Sequence, residues 1–276
     1  MFVPRRRALA SAALGATICC AFASPVHADI NGFNNGSGFT LNGTNPSING
    51  DTLQITTQAV DQGGNVTGYG EANSAFFDTR QSIQAFDAHF TYQLGPVNEN
   101  AGSLSPADGF TFMLQNSTNG VQSVGDGGSF LGADLPTSTA VAFNVFSGHT
   151  TGTTLYTGGN EDFNYNPTGD VDITGGHAIN VDLAYKNDTL TEILTDTVTN
   201  ATFQVSYATD IGSAVSGSSA YVGFTGGTGG GTADQFISNF TFTPQPVPEA
   251  STVVTLTLLS IGGLIVLRRR RSAEPQ

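Results

Sequence analysis

The chain has 276 residues, with 22 acidic against nine basic side chains and a formal net charge of −13 at neutral pH. Seven basic residues lie at the two ends, so residues 29–246 hold 20 acidic against two basic side chains, a formal charge of −18. Nucleic-acid binding and adhesion to anionic lipid both need a basic surface, so this composition argues strongly against either function.

Residues 1–28 have the three parts of a secretory signal peptide. Three arginines at 5–7 precede a small-residue apolar stretch over 8–23, and Val-His-Ala at 26–28 forms an A-x-A-like cleavage site. We therefore predict an exported protein whose mature chain begins near Asp29. A retained anchor helix is the alternative, and export by the Sec or the twin-arginine route stays open.

The two cysteines of the chain lie inside this predicted signal peptide. They are Cys19 and Cys20, and no cysteine follows them. Removal of the signal peptide would leave a mature domain without a disulfide, a thiolate metal site or a cysteine nucleophile.

Residues 29–243 are predicted to form one all-β domain, a β-sandwich. Gly, Thr, Ser, Asn and Val dominate, and turn signals such as Asn49-Gly50 recur about every ten residues. Several runs alternate with period two, which predicts strands with one apolar face. The predicted inward-facing sets are Phe86, Ala88, Phe90, Tyr92 and Leu94; Phe110, Phe112 and Leu114; Val141, Phe143 and Val145; Ile179, Val181, Leu183 and Tyr185; Phe203, Val205 and Tyr207; and Phe240 and Phe242.

Five segments of this domain carry a family resemblance. They read A-D-G-F-T-F-M-L-Q-N over 107–116, G-G-S-F-L-G over 127–132, V-A-F-N-V-F over 141–146, A-Y-V-G-F-T-G-G-T-G over 220–229 and I-S-N-F-T-F over 237–242. In this order they resemble segments of L-type (legume-like) lectins, here of a bacterial type. The resemblance implies a concanavalin-like jelly-roll β-sandwich with a sugar site on four loops at one end.

The resemblance also implies which residues bind a carbohydrate. Asp108 matches the aspartate whose carboxylate accepts hydrogen bonds from two sugar hydroxyls, and the peptide bond before it is usually cis in the family. Gly128 and Ser129 of the G-G-S-F-L-G segment are candidates too, since Ser129 matches a glycine whose backbone N–H donates to the sugar. Gly227 and Thr228 match the loop that sets which sugar fits. A carboxylate beside N–H donors suits sugar hydroxyls, because each hydroxyl both donates and accepts.

The metal site of the family is where this sequence departs from the pattern. Acidic residues of a V-E-F-D strand hold Ca²⁺ and a transition metal there, but Ala142 replaces the Glu and Asn144 replaces the Asp. The downstream Asn and Asp positions fall near Gly148 and Gly152. Ca²⁺ needs several oxygen ligands and a transition metal prefers carboxylate and imidazole. A transition metal is therefore not expected, and Asn144 is kept as a candidate for both Ca²⁺ and carbohydrate binding.

Further candidates lie in the loops beyond this strand. Partners for Ca²⁺ at Asn144 would be backbone carbonyls or the side chains of Asn160, Glu161 and Asp162. Aromatic candidates for stacking on a sugar ring are Phe146, Tyr156 and Phe163. The single His149 is predicted to face solvent rather than to bind a metal.

The C-terminal residues have the organisation of a membrane-sorting signal. A proline-rich spacer over 244–251 ends in Val-Pro-Glu-Ala-Ser, residues 252–267 are apolar, and residues 268–276 begin with four arginines. Sixteen helical residues reach about 24 Å, short of a bilayer core of about 30 Å. The arginines favour a cytoplasmic position for this basic tail.

This tail resembles the PEP-CTERM sorting signal of Gram-negative bacteria. The resemblance implies transient membrane insertion of the apolar helix and an exosortase-type processing enzyme as a partner. It also implies the cell envelope or the extracellular matrix as the destination. An ordinary C-terminal anchor helix is the alternative.

Three functions stay open at this point. The first is an exported cell-surface or matrix protein that binds a glycan or exopolysaccharide, which the retained Ala107-Asp108-Gly109 favours. The second is a structural matrix component that no longer binds sugar, which the missing metal ligands favour. The third is a glycoside hydrolase, which needs two carboxylates about 5 to 5.5 Å apart. Asp170 and Asp172 are predicted to lie in a solvated turn instead, so the expectation is that the chain is not an enzyme.

Overall fold

The computed structural model describes residues 29–98, 100 and 104–246. The predicted signal peptide, the end of the proline-rich spacer, the apolar helix over 252–267 and the basic tail lie outside these residues and stay predictions. Within the described part of the chain, no helix is long and apolar enough to cross a membrane.

Strands make up nearly all of the regular structure in the described residues. In chain order they are β1 (Ile30–Asn31), β2 (Phe39–Asn42), β3 (Ser47–Asn49), β4 (Thr52–Thr56), β5 (Ala59–Val60), β6 (Val66–Thr67), β7 (Ala72–Phe77), β8 (Gln81–Ser82), β9 (Phe86–Leu94), β10 (Gly109–Gln115), β11 (Ser138–Asn144), β12 (Gly152–Thr157), β13 (Asn166–Pro167), β14 (Ile179–Lys186), β15 (Thr189–Asp196), β16 (Thr202–Ala208), β17 (Ser219–Gly227) and β18 (Gln235–Pro244). One short helix, α1 (Ile211–Ala214), and three 3-10 helices (Asn34–Gly36, Gly120–Gln122 and Gly128–Phe130) accompany them. The all-β prediction is confirmed.

Two antiparallel sheets contain most of these strands. The back sheet has the order β16-β15-β14-β9-β18-β4-β3, and β1 also pairs with β18. The front sheet has the order β13-β12-β11-β10-β17-β7-β2, and β8 also pairs with β17. Neighbours in space are often distant in sequence, as where β18 pairs with β9 and where β17 pairs with β10 and β7.

The main core lies between the two sheets. The predicted inward-facing residues of β9, β10, β11, β14 and β18 are all buried there, which confirms the period-two assignments. Aromatic rings dominate this core, with Phe110 stacked on Phe143 at 4.5 Å between centroids and Phe90 edge-on to Phe224 at 5.1 Å. Phe203 and Tyr207 of β16 pack against the core but stay half-buried, because β16 is an edge strand.

A second apolar layer covers the outer face of the front sheet. Leu131, Ala133 and Leu135, from the segment between β10 and β11, pack with buried side chains such as Met113 and Ala142. Strands β10 and β11 are therefore buried on both faces. The sequence analysis did not predict this layer, because its residues lie in a loop with no period-two pattern.

Candidate carbohydrate-binding site

Asp108 lies at one end of the front sheet, directly before β10. Gly109 pairs with Asn144 at the end of β11 and with Gly227 at the end of β17. The Asp108 N–H donates to the Gly227 carbonyl (3.0 Å), and its carbonyl accepts from the Val145 N–H (2.9 Å). The peptide bond between Ala107 and Asp108 is cis. The backbone of Asp108 is thus fixed between two neighbouring strand ends.

The carboxyl group of Asp108 is nearly buried and incompletely paired. The residue is 7% exposed, and its Oδ2 has no hydrogen-bond partner within the described residues. Burial raises the pKa of Asp108 to about 6, against the lowering effects of the Gly229 backbone N–H and of the His149 charge. A buried acceptor without a partner costs free energy of folding unless a ligand satisfies it.

Glycines bring two loops close to this carboxyl group. A Cβ added to Gly229 would lie 3.0 Å from Asp108 Oδ2, and one added to Gly227 would lie 2.8 Å from the Gly128 carbonyl oxygen. Gly128 has a φ of +63° and opens the 3-10 helix that contains Ser129. Ser129 is half-buried, and N–H groups in the first turn of a helix have no partner within it. The 3-10 helix that contains Ser129 therefore offers backbone N–H donors, and it lies next to the loop of Gly227 and Gly229 that packs against Asp108.

Thr228, a predicted carbohydrate-binding residue, uses its side chain within the protein. Its side chain is fully buried; the hydroxyl donates to the Gly68 carbonyl (2.6 Å) and accepts from the Glu71 N–H (2.8 Å). Its backbone N–H donates to the Glu71 carbonyl, and its carbonyl accepts from the Gly128 N–H. Both roles of the hydroxyl are taken, so Thr228 positions the loop.

Asn144 lies next to this site, but its side-chain amide bonds to backbone carbonyls of its own loop. It is 3% exposed, and its Nδ2 donates to the carbonyls of Phe146 (2.9 Å) and Thr150 (3.0 Å). Both neighbours are acceptors, so the amide must present its NH₂ group to them, and the distances are those of hydrogen bonds rather than of Ca²⁺ coordination. In this structure the Asn144 amide bonds its own loop, and its role as a Ca²⁺ ligand stays a prediction.

The other family metal positions have taken different structural roles. Ala142 is fully buried in the outer apolar layer. A Cβ on Gly148 would lie 2.2 Å from the Phe146 ring, and one on Gly152 would lie 2.0 Å from the Asn166 carbonyl oxygen. In the described part of the chain, no group of three or more His, Asp or Glu side chains could hold a metal ion. The residues present do not fit the metal pair that the resemblance implies.

Aromatic side chains gather near Asp108 on the loops that follow β11 and β12. The ring of His149 stacks on Phe163 (5.1 Å between centroids, 11° between planes) and lies edge-on to Phe146 at 6.0 Å. Phe163 is 43% exposed and offers a ring face to a ligand. Tyr156 does not, because it is 1% exposed and its hydroxyl is paired with that of Tyr165.

Two exposed aromatic residues near the site were missed by the sequence analysis. Tyr69 lies between Gly68, whose carbonyl accepts from Thr228, and Gly70, whose N–H donates to the Gly229 carbonyl. Phe130 closes the 3-10 helix that Gly128 begins. Among the described residues, Tyr69, Phe130 and Phe163 are the exposed aromatic side chains. The position of Phe130 inside the G-G-S-F-L-G motif was the one signal that could have marked it.

Comparisons with known proteins agree with this architecture. The legume lectin domain family matches residues 27–256. A lectin from Bauhinia forficata in complex with GalNAc has a TM-score of 0.63 at 20% identity, over 78% of this chain and 97% of that one. Lectin I from Ulex europaeus, in complex with the methyl glycoside of α-L-fucose, has a TM-score of 0.63 at 18% identity, over 78% and 97% of the two chains.

A third similar structure is arcelin-5, a lectin-like defense protein from Phaseolus vulgaris. Its TM-score is 0.61 at 20% identity, over 79% of this chain and 98% of that one. No protein among those with curated descriptions matches the chain significantly. At these identities the structural likeness establishes the fold, whereas the family match spans most of the sequence. The chain belongs to the legume lectin domain family.

Proposed function

We propose that this protein binds carbohydrate at the loop end around Asp108. The observation that carries the proposal is the Asp108 carboxyl group, which lies nearly buried at the loop end, has an Oδ2 without a hydrogen-bond partner and packs closely against Gly229. A sugar that presents two hydroxyl donors would satisfy this carboxylate, while its hydroxyl oxygens could accept from backbone N–H groups of the 3-10 helix that contains Ser129.

The three exposed aromatic residues support a carbohydrate ligand. Tyr69, Phe130 and Phe163 lie on three different loops, each of which is hydrogen-bonded or stacked to a loop that contacts Asp108. Ligand sites typically combine apolar and aromatic walls with a few polar groups. Aromatic rings distributed in this way around one carboxyl group suit a glycan longer than one sugar.

The export and the cellular location of the protein are also part of the proposal. The predicted signal peptide and the predicted tail, which resembles a PEP-CTERM signal, support export, processing by an exosortase-type enzyme, and location in the cell envelope or the extracellular matrix. Structural relatives in complex with GalNAc and with an α-L-fucose glycoside support a pyranose-containing glycan or exopolysaccharide as the partner. A binding role without catalysis fits the family.

A glycan array with the purified full-length chain tests the proposal. We expect wild-type protein to bind a defined set of glycans, and Asp108→Asn to lose about 100-fold or more in affinity, because two hydrogen bonds to a charged acceptor are weakened. Asp170→Asn is the matched control, since Asp170 lies in an exposed turn, and it should bind as the wild type does.

Other results would redirect the proposal. If a well-folded wild-type protein binds no glycan, the structural matrix role becomes the better reading, which the lost metal positions already favour. Release of shorter sugars from any glycan would instead point to a hydrolase.

A further inference from the structure

We propose that the segment 144–163 keeps the Asp108 site in shape without a metal ion, through the Asn144 amide and the stacked rings of Phe146, His149 and Phe163. The metal positions of the family have not simply been lost. Asn144 now bonds within the loop, and Gly148 and Gly152 lie where any side chain would overlap a neighbour.

The buried Asn144 side chain holds the first turn of the segment 144–163 by hydrogen bonds. Its two N–H groups bond the carbonyls of Phe146 and Thr150, two and six residues further along the chain. A cation would hold such carbonyls by its charge, whereas here a buried neutral amide donates to both. Because Asn144 is 3% exposed, water competes poorly for these hydrogen bonds.

Aromatic packing on the exposed side of the segment 144–163 also stabilises it. The His149 N–H donates to the Phe146 carbonyl (3.2 Å), which forms a turn, and the imidazole stacks on Phe163 from the loop that follows β12. Gly148 is needed in this turn, since a Cβ there would overlap the Phe146 ring.

The loop connects directly to the proposed binding site. Val145, the residue after Asn144, donates its N–H to the Asp108 carbonyl (2.9 Å). A protonated His149 would lower the pKa of the Asp108 carboxyl group. Asn144 is therefore a positioning residue for Asp108. Its effect on ligand binding rests on the proposed function, but its effect on the loop does not.

Hydrogen exchange of the full-length protein tests the metal independence of the loop. We expect peptides that cover residues 144–152 to exchange at the same rate in EDTA, in millimolar Ca²⁺ and in millimolar Mn²⁺, with an unchanged melting temperature. Slower exchange or a higher melting temperature with either metal would overturn the proposal, because the Asn144 Oδ1 and the two carbonyls would then be acting as ligands.

Asn144→Asp tests the amide itself. The substitution keeps the shape but places a carboxylate against two carbonyl oxygens, so exchange of the 144–152 peptides in EDTA should rise at least tenfold. Asn160→Asp is the matched control, because that exposed amide donates to a single carbonyl, that of Thr157 (3.2 Å), and the 144–152 peptides should exchange at the wild-type rate. Wild-type exchange in Asn144→Asp would refute the role of the amide.

A surface variant covers the case in which Asn144→Asp does not fold. His149→Ala removes the stacked imidazole from an exposed position and should speed exchange about threefold or more, whereas His149→Phe should retain slow exchange. If His149→Ala exchanges like the wild type, the ring stack does not hold the loop. Glycan affinity that is equal in EDTA and in Ca²⁺ is expected as well. Absence of glycan binding, with a metal-insensitive loop, would refute only the proposed function.

Discussion

The loop end around Asp108 and the interior around Glu192 both bury a carboxyl group, but only the first lies among loops and keeps some solvent exposure. Glu192 of β15 is fully buried between the sheets, where its Oε2 accepts from Thr153 (3.0 Å) and Tyr207 (3.1 Å) and its Oε1 has no partner in the described structure. Asp108 has the same unpartnered oxygen but lies beneath glycine-rich loops and stays 7% exposed.

The location of each carboxyl group decides what can offset the free-energy cost of burying it. Burial raises the pKa of Glu192 to about 7, against the lowering effects of Thr153 and Tyr207. A sealed carboxyl group is relieved mainly by binding a proton, whereas Asp108 can be relieved by a ligand that donates hydrogen bonds. An unpaired buried acceptor is therefore a candidate binding group only where its residue reaches the surface, as Asp108 does.

The largest expected effect is on stability, from Glu192→Gln. The neutral form of Glu192 is favoured in the folded state, so its stabilising contribution is complete below pH 4.5 and is lost as the pH rises through about 7. The free energy of unfolding of the variant should exceed that of the wild type by about 2 to 3 kcal/mol at pH 8. At pH 4.5 the two free energies of unfolding should be nearly equal. Urea denaturation at both pH values measures this difference.

Glu161→Gln is the control for this prediction, because Glu161 lies in a partly exposed loop. It should give no stabilisation that grows with pH. An equal gain for Glu192→Gln at pH 4.5 and pH 8 would show that packing, rather than ionisation, separates the interior from the loop end.

The next effect concerns ligand binding by Asp108. With a pKa of about 6, the carboxylate form predominates above pH 6 and the neutral form below it. The carboxylate accepts two hydroxyl donors and the neutral acid accepts less well, so glycan affinity should fall about tenfold between pH 8 and pH 5. Titration calorimetry at intervals of one pH unit measures the profile.

His149 provides a control for this pH profile. His149 lowers the pKa of Asp108, so His149→Ala should move the midpoint of the profile to higher pH. Any residual binding by Asp108→Asn should not follow the same profile. A wild-type affinity that is constant from pH 5 to pH 8 would contradict a role for the Asp108 carboxylate.

The sequence predicted the interior of this molecule better than its loop end. Alternating residues such as Phe86, Phe90 and Val181 determine which side of a strand is buried, and this pattern is local. The supporting role of Thr228 depends instead on Gly68 and Glu71, more than 150 residues earlier, and no local pattern indicates such a contact. The motif located Asp108, but only the fold shows which of its neighbours are open to a ligand.

The smallest expected effect is a gain in stability from Asp108→Asn. Because the pKa of Asp108 is raised, its stabilising contribution is complete below its ordinary pKa of 3.8 and is lost as the pH rises through about 6. The variant should gain about 1 kcal/mol at pH 7, less than Glu192→Gln, because the pKa of Asp108 is raised slightly less than that of Glu192 and solvent screens the loop end. Thermal unfolding measured beside glycan binding would show a variant that is more stable and inactive.

Glu71 provides the contrasting control at the same loop end. Its buried carboxylate accepts from the backbone and hydroxyl of Thr57 and from the amides of Asn45 and Asn73, so none of its bonding capacity is left for a ligand. Glu71→Gln would set an NH₂ donor against these donors and should lose roughly 2 kcal/mol. If Asp108→Asn is destabilised in the same way, Asp108 is a structural carboxylate like Glu71, and its unpartnered Oδ2 does not mark a binding site.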